Sequence, residues 1–111
     1  MSSEERDPHK AVDYIIQNAK KFAKAKAERV YLEEYRKSLK ALLMKRSLEE
    51  TIGAQEREAY AHKEYRDLLD GLKVAVQDEE KLRWDLIAAQ ARVEIWRTEQ
   101  ANLRAEGKVT I

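Results

Sequence analysis

Residues 68–103 read LLDGLKVAVQDEEKLRWDLIAAQARVEIWRTEQANL, and the spacing of this stretch decides the fold. Leu68, Leu72, Ala75, Glu79, Leu82, Leu86, Ala89, Val93, Trp96, Gln100 and Leu103 follow one another at steps of four and three without interruption. That is a 3.5-residue period held over five heptads. Such a period keeps one stripe of a helix against a neighbouring helix, with left-handed packing. The expected packing seam is therefore Leu68, Leu72, Ala75, Leu82, Leu86, Ala89, Val93, Trp96 and Leu103. Glu79 and Gln100 interrupt it, either fixing register or facing a wet gap. Ala75 and Ala89 leave room for close approach of the partner. Ile87, Ala91 and Ile95, four apart, widen the stripe and imply more than one neighbour. Gly71 costs a helix interior about 1 kcal/mol relative to alanine. It marks a kink, a close crossing or a helix end, and the repeat running through it favours continuity.

The composition extends this helical reading to the rest of the chain. Of 111 residues, three are glycine and one is proline, while 39% are charged. So few breakers among alanine, leucine, lysine, glutamate and arginine point to long helices. A first helix is expected over residues 8–50, with Asp7 as N-cap and Pro8 at the first helical position. Its apolar face includes Val12, Ile16, Ala19, Ala23, Ala27, Val30, Tyr31, Tyr35, Leu39 and Leu42. The steps of four through 27, 31, 35 and 39 depart from a heptad, which favours a globular helix face over a coiled-coil seam. Thr51–Gly53 suggests a bend, so 51–66 is a bend or short helix, and a second long helix covers 67–106 with Gly107 at C′.

The fold expected is all-α: two long amphipathic helices in an antiparallel hairpin or coiled-coil-like bundle, with a short third helix as an option. The domain organisation is a disordered tail over 1–7, one helical domain over 8–106 and a C-terminal tail over 107–111. A lone hairpin buries little core, which favours a third segment or self-association.

Net charge is +1, but it is unevenly spread. Residues 1–48 carry 12 Lys/Arg against 7 Asp/Glu, and residues 49–111 carry 10 against 14. Folding back, or pairing with another copy, brings opposite signs together. The basic half also offers Lys20, Lys21, Lys24, Lys26, Arg29, Arg36, Lys37 and Lys40 to a phosphate backbone. The alternative is a solubilising face whose lysine stems cover apolar surface.

Catalytic and metal chemistry find little support. The chain has no cysteine, hence no disulfide, thiol nucleophile or thiolate metal site. His62, with Glu58 and Arg66 four residues to either side, fits a surface ladder better than a metal site, which needs three or more ligands. Asp67 with Asp70, and Glu79 with Glu80, have the spacing of a solvated face. No glycine-rich phosphate loop or serine elbow is present. No catalytic residue, metal or cofactor is expected. No run approaches a membrane span, and no signal-peptide pattern opens the chain, so a cytoplasmic location is the default.

The aromatic residues suggest contact surfaces. Trp96 lies on the seam. Trp84 lies off it, either packing on a third segment or anchoring a partner together with Arg83. Tyr60 and Tyr65 flank His62 and suit a half-exposed interface.

Four stretches carry a family resemblance: Tyr60-Ala-His-Lys-Glu-Tyr65, Leu68-Leu-Asp-Gly-Leu72, Glu79-Glu-Lys-Leu-Arg-Trp84 and Ala88-Ala-Gln-Ala-Arg-Val-Glu-Ile-Trp96. Over roughly residues 30–104 the chain resembles a family of small uncharacterised helical proteins of tailed bacteriophages and prophages. It departs from them at Leu103, Lys108 and Val109, where a more polar ending is usual. The resemblance implies a short helical protein found beside phage recombination and replication genes, in the bacterial host cytoplasm. It carries no catalytic residue. The expected function is a non-enzymatic accessory acting through helix-mediated protein contacts, as a homo-oligomer or with a phage or host partner. The alternatives are sequence-neutral DNA binding through the first helix, or inhibition of a host enzyme.

Overall fold

The computed structural model describes residues 7–110, with side chains through Gly107. The fold is all-α, with two long helices and one short helix between them. Helix α1 runs Pro8–Arg46, α2 Ile52–Ala61 and α3 Lys63–Thr110. At 1.5 Å per residue, α1 is about 60 Å long and α3 about 70 Å. Of the tail expected over 1–7, residues 1–6 lie outside the described residues, and Asp7 is the cap of α1.

Helix α1 starts as its sequence dictates. The His9 N–H donates to Asp7 Oδ1 at 2.9 Å, and the Ala11 N–H donates to the Asp7 carbonyl at 3.2 Å. Pro8 sits where a backbone donor would be unused. The helix stops at Arg46, short of the expected residue 50. Ser47 accounts for the stop, because its hydroxyl accepts from the Glu49 N–H at 3.1 Å and donates to the Glu58 carboxylate. Local side-chain bonds of this kind compete with helix propagation. Lys45 and Arg46 occupy the last turn, where cations meet the exposed carbonyls.

Of the two expectations for the middle segment, the short helix is the one found. Thr51 is extended and its Oγ1 accepts from the Ala54 N–H at 3.1 Å, an N-cap for α2. Gln55 donates to the Glu49 carbonyl at 2.9 Å and ties the preceding loop to α2. The break before α3 is one residue wide. His62 is extended (ψ 141°), and its Nδ1 accepts from the Glu64 N–H at 3.0 Å. The imidazole thus caps α3, which begins at Lys63 rather than at residue 67.

Two glycine expectations are resolved. Gly71 lies within unbroken α3, and no glycine has positive φ. Gly107 is not a C′ residue, because α3 continues through it to Thr110. With no Pro beyond it, nothing in the sequence stops the helix there.

Contacts divide the chain into two units: Met1–Phe22 with Lys81–Ile111, and Ala23–Glu80. In the second unit α1 and α3 run antiparallel, with Arg29 paired to Glu79 and Arg46 to Glu64. Leu39, Leu43, Ala59 and Tyr65 form its core, with Met44 and Leu68 packed on them. In the first unit Ala11 and Ala89 are buried, and the Tyr14 hydroxyl donates to Asp85 at 3.4 Å.

The face of α1 differs from the one expected. Its less exposed positions include Ala11, Ile15, Asn18, Phe22, Ala25, Arg29, Leu32, Arg36, Leu39 and Leu43, with Tyr14, Glu33, Lys40 and Met44 flanking them. The former too alternate at four and three, so α1 carries a second heptad seam. Of the expected face only Leu39 is buried. Ile16 is 70% exposed, Tyr31 62% exposed, and Val12, Val30, Tyr35 and Leu42 are also exposed. The polar seam residues Asn18, Arg29 and Arg36 hid the repeat from an apolar-periodicity reading.

Candidate interaction surfaces

Along α3 the low-exposure row runs Tyr65, Leu68, Leu72, Ala75, Glu79, Leu82, Leu86, Ala89 and Val93. Trp96, expected in the core, is 39% exposed, and Leu103 is 58% exposed. Within the first unit α1 begins at Pro8, while every α3 residue from Ala101 to Gly107 is exposed. The α3 repeat outlasts the face that covers it. An open groove there runs along α3 past Trp96, Arg97, Gln100 and Arg104.

Glu79, the interruption in the seam, is buried and paired. Arg29 donates to it through both Nε and Nη2, and donates through Nη1 to both oxygens of Glu33 at 3.0 Å. Glu79, then Glu33, holds the guanidinium's pKa well above its ordinary value. A carboxylate at one seam position thus meets a guanidinium at a position of the facing seam. A pair of this kind disfavours slipped registers, in which both charges would face apolar side chains.

This placement sorts the basic side chains of α1. Arg29 is committed to the seam, and Arg36 is half-buried at a seam position. Lys37 is exposed and pairs with Glu34 at 3.3 Å. Lys40 donates to Glu56 at 3.0 Å and lies 4.6 Å from the centre of the Tyr60 ring. Tyr60, then Glu56, raises its pKa. Lys20, Lys21, Lys24 and Lys26 are exposed, and none has a hydrogen bond or ion pair among the described residues.

The aromatic expectations also separate. Tyr65, expected at a partner surface, is 8% exposed and belongs to the core, because the bend at His62 turns it inward onto Leu39 and Leu43. Tyr60 meets it edge-on, with ring centres 5.2 Å apart and 77° between planes, and remains 44% exposed. Trp84 is 57% exposed, with the Arg83 guanidinium 5.1 Å from its ring centre. Trp84, Ile87, Ala88, Ala91 and Ile95 are all exposed and lie on the side of α3 away from its seam. The row is apolar over about three turns.

The Asp85 carboxyl is held below its ordinary range by Lys81, at 2.9 Å, with Tyr14 adding to the effect. The same pair raises Lys81. His62 serves the α3 cap, and among the described residues no group of three or more His, Asp or Glu could hold a metal ion. Among those residues no helix is long and apolar enough to cross a membrane. Comparison with family models, curated proteins and solved structures finds no match to this chain.

Proposed function

We propose that this protein is a non-enzymatic helical interaction protein that self-associates through the outer face of α3. One observation carries the reading: Trp84, Ile87 and Ile95 form an exposed apolar row on a helix whose opposite side already packs within the chain. The partner at this row is a second copy. The described core contains only seven buried apolar residues, four of them alanine, a small core for a chain of this length. A like row on a second copy adds apolar burial through an isologous contact. Ala88 and Ala91 lie within the row, where small side chains permit close helix approach.

The setting proposed is the bacterial host cytoplasm, with the protein serving as an accessory to phage DNA recombination or replication. Support for the setting comes from the resemblance carried by residues 60–65, 68–72, 79–84 and 88–96. An enzyme inhibitor is the competing role, because it too needs a docking face and no site of its own.

Mass measurement at two concentrations tests the association. The expected result is a dimer or higher species at the upper concentration, reduced to monomer by Ile95→Glu without loss of helix content. A monomer at both concentrations overturns the association. Affinity capture with the intact chain tests the setting. Recovery of a recombination or replication protein fits the proposed role, and recovery of a host metabolic enzyme overturns it in favour of inhibition.

A further inference from the structure

The basic side chains of α1 are not one population, and their division points to a ligand. Arg29, Lys37 and Lys40 are engaged by carboxylates. Lys20, Lys21 and Lys24 are exposed and without a partner among the described residues. They lie within a stretch, residues 14–27, that contains no Asp or Glu. On an unbroken helix, steps of three and four keep side chains on one side. Lys21, Lys24, Glu28, Tyr31 and Tyr35 follow such steps, all five are exposed, and Lys20 borders the row. Tyr31 and Tyr35 stack with ring centres 6.0 Å apart and planes 6° from parallel, and Tyr31 is 62% exposed.

We infer that this row binds single-stranded nucleic acid without sequence preference. Lys20, Lys21 and Lys24 contact consecutive phosphates, and the exposed Tyr31 ring, backed by Tyr35, takes an unpaired base. Lysines supply the salt-dependent part of such binding, and base–aromatic stacking supplies a part that tolerates any base. An aromatic pair about two turns beyond the lysines favours a single strand, since a duplex keeps its bases stacked inside. Glu28 is the acidic side chain in the row. It confines the phosphates to the lysine end and leaves the tyrosine end to the base. The row is on α1 and the association face on α3, so the inference stands independently of self-association.

Fluorescence anisotropy with the full chain and a labelled oligothymidylate, across a salt series, tests it. The expected result is binding at low salt that exceeds binding to a duplex of equal length. Its logarithmic salt slope is about −0.7 per phosphate contacted. Lys20→Gln/Lys21→Gln/Lys24→Gln flattens that slope by about two. Tyr31→Ala weakens binding about tenfold with the slope unchanged, and Tyr31→Phe retains it. All these positions are exposed, so the variants keep wild-type helix content by circular dichroism. Failure to bind at low salt overturns the inference. Equal affinity for duplex, or indifference to Tyr31→Ala, also overturns it, as does capture by phosphatidylserine vesicles with no binding to the oligonucleotide.

Discussion

The two units of the chain are held by different means. The second, Ala23–Glu80, gathers Leu39, Leu43, Ala59 and Tyr65 from all three helices and bridges α1 to its neighbours at Arg29–Glu79, Lys40–Glu56 and Arg46–Glu64. The first unit buries Ala11 and Ala89, with Tyr14–Asp85 reaching from α1 to α3, and leaves Ile16, Trp84 and Ile95 more than half exposed. The second therefore holds most of the buried core, although Leu48, Ile52, Tyr31 and Val74 are exposed there too, while in the first the exposed Trp84 and Ile95 share one face of α3. The division places stability near the α2 end and the proposed association on the segment that pairs with the start of α1.

Truncation is the hardest test of that contrast. Leu43→Ala removes a 5%-exposed side chain from the second unit and is expected to lower unfolding free energy by about 2–5 kcal/mol. Ile16→Ala, at 70% exposure in the first unit, is expected to change monomer stability by no more than about 0.5 kcal/mol. Urea titration of both variants checks this, and equal losses would erase the distinction between the units.

The seam pair offers the next test. Glu79→Leu leaves Arg29 facing an apolar seam, and the urea midpoint should fall. Arg29→Leu/Glu79→Leu should recover much of the loss, because an apolar pair replaces a desolvated ionic one. A double variant no better than the single would show that the two side chains are not coupled.

Smaller effects come from the helix backbone. Gly71 is exposed within α3, and a Cβ there meets nothing within 4 Å. Gly71→Ala is expected to stabilise by about 1 kcal/mol. Thr51→Ala removes the α2 cap and is expected to cost about 1 kcal/mol. Thermal melts followed by circular dichroism should move in opposite directions.

The smallest effect is a pH dependence in the first unit. Asp85 has its folded pKa depressed by Lys81 and Tyr14. Its contribution to stability is therefore present above the ordinary carboxylate range and is lost as pH falls through the depressed value. Asp85→Asn should remove that part of the acid-limb slope in a stability–pH profile, and an unchanged slope would remove the first unit's polar contact from the comparison.

The repeat in residues 68–103 was legible because its seam is largely apolar, and from it followed the helix, the hairpin and the packing side as far as Val93, while Trp96 and Leu103 are exposed. The repeat in α1 was not legible by the same rule. Arg29 is in its seam because Glu79 stands opposite, and a partner 50 positions away leaves no local pattern. The same limit applies to the candidate surface. Charge alone placed Arg29, Arg36 and Lys40 with Lys20, Lys21 and Lys24, and only the folded contacts separate them. Tyr65 looked equivalent to Tyr60 because the one-residue break at His62 uses neither glycine nor proline. The sign that could have found it is the ability of histidine Nδ1 to accept from a backbone N–H two residues on.

The placement of α2 has a kinetic consequence. Cross-helix contacts near it join residues 16 and 18 positions apart, whereas Arg29–Glu79 spans 50 and Tyr14–Asp85 spans 71. The entropy of closing a loop grows with its length, so the contacts nearest the turn are the least costly to form first. Folding should then start around Leu39–Tyr65 and zip toward the ends of the chain. Native-state amide exchange should run the same gradient in reverse, with protection greatest beside α2 and lowest where α1 begins.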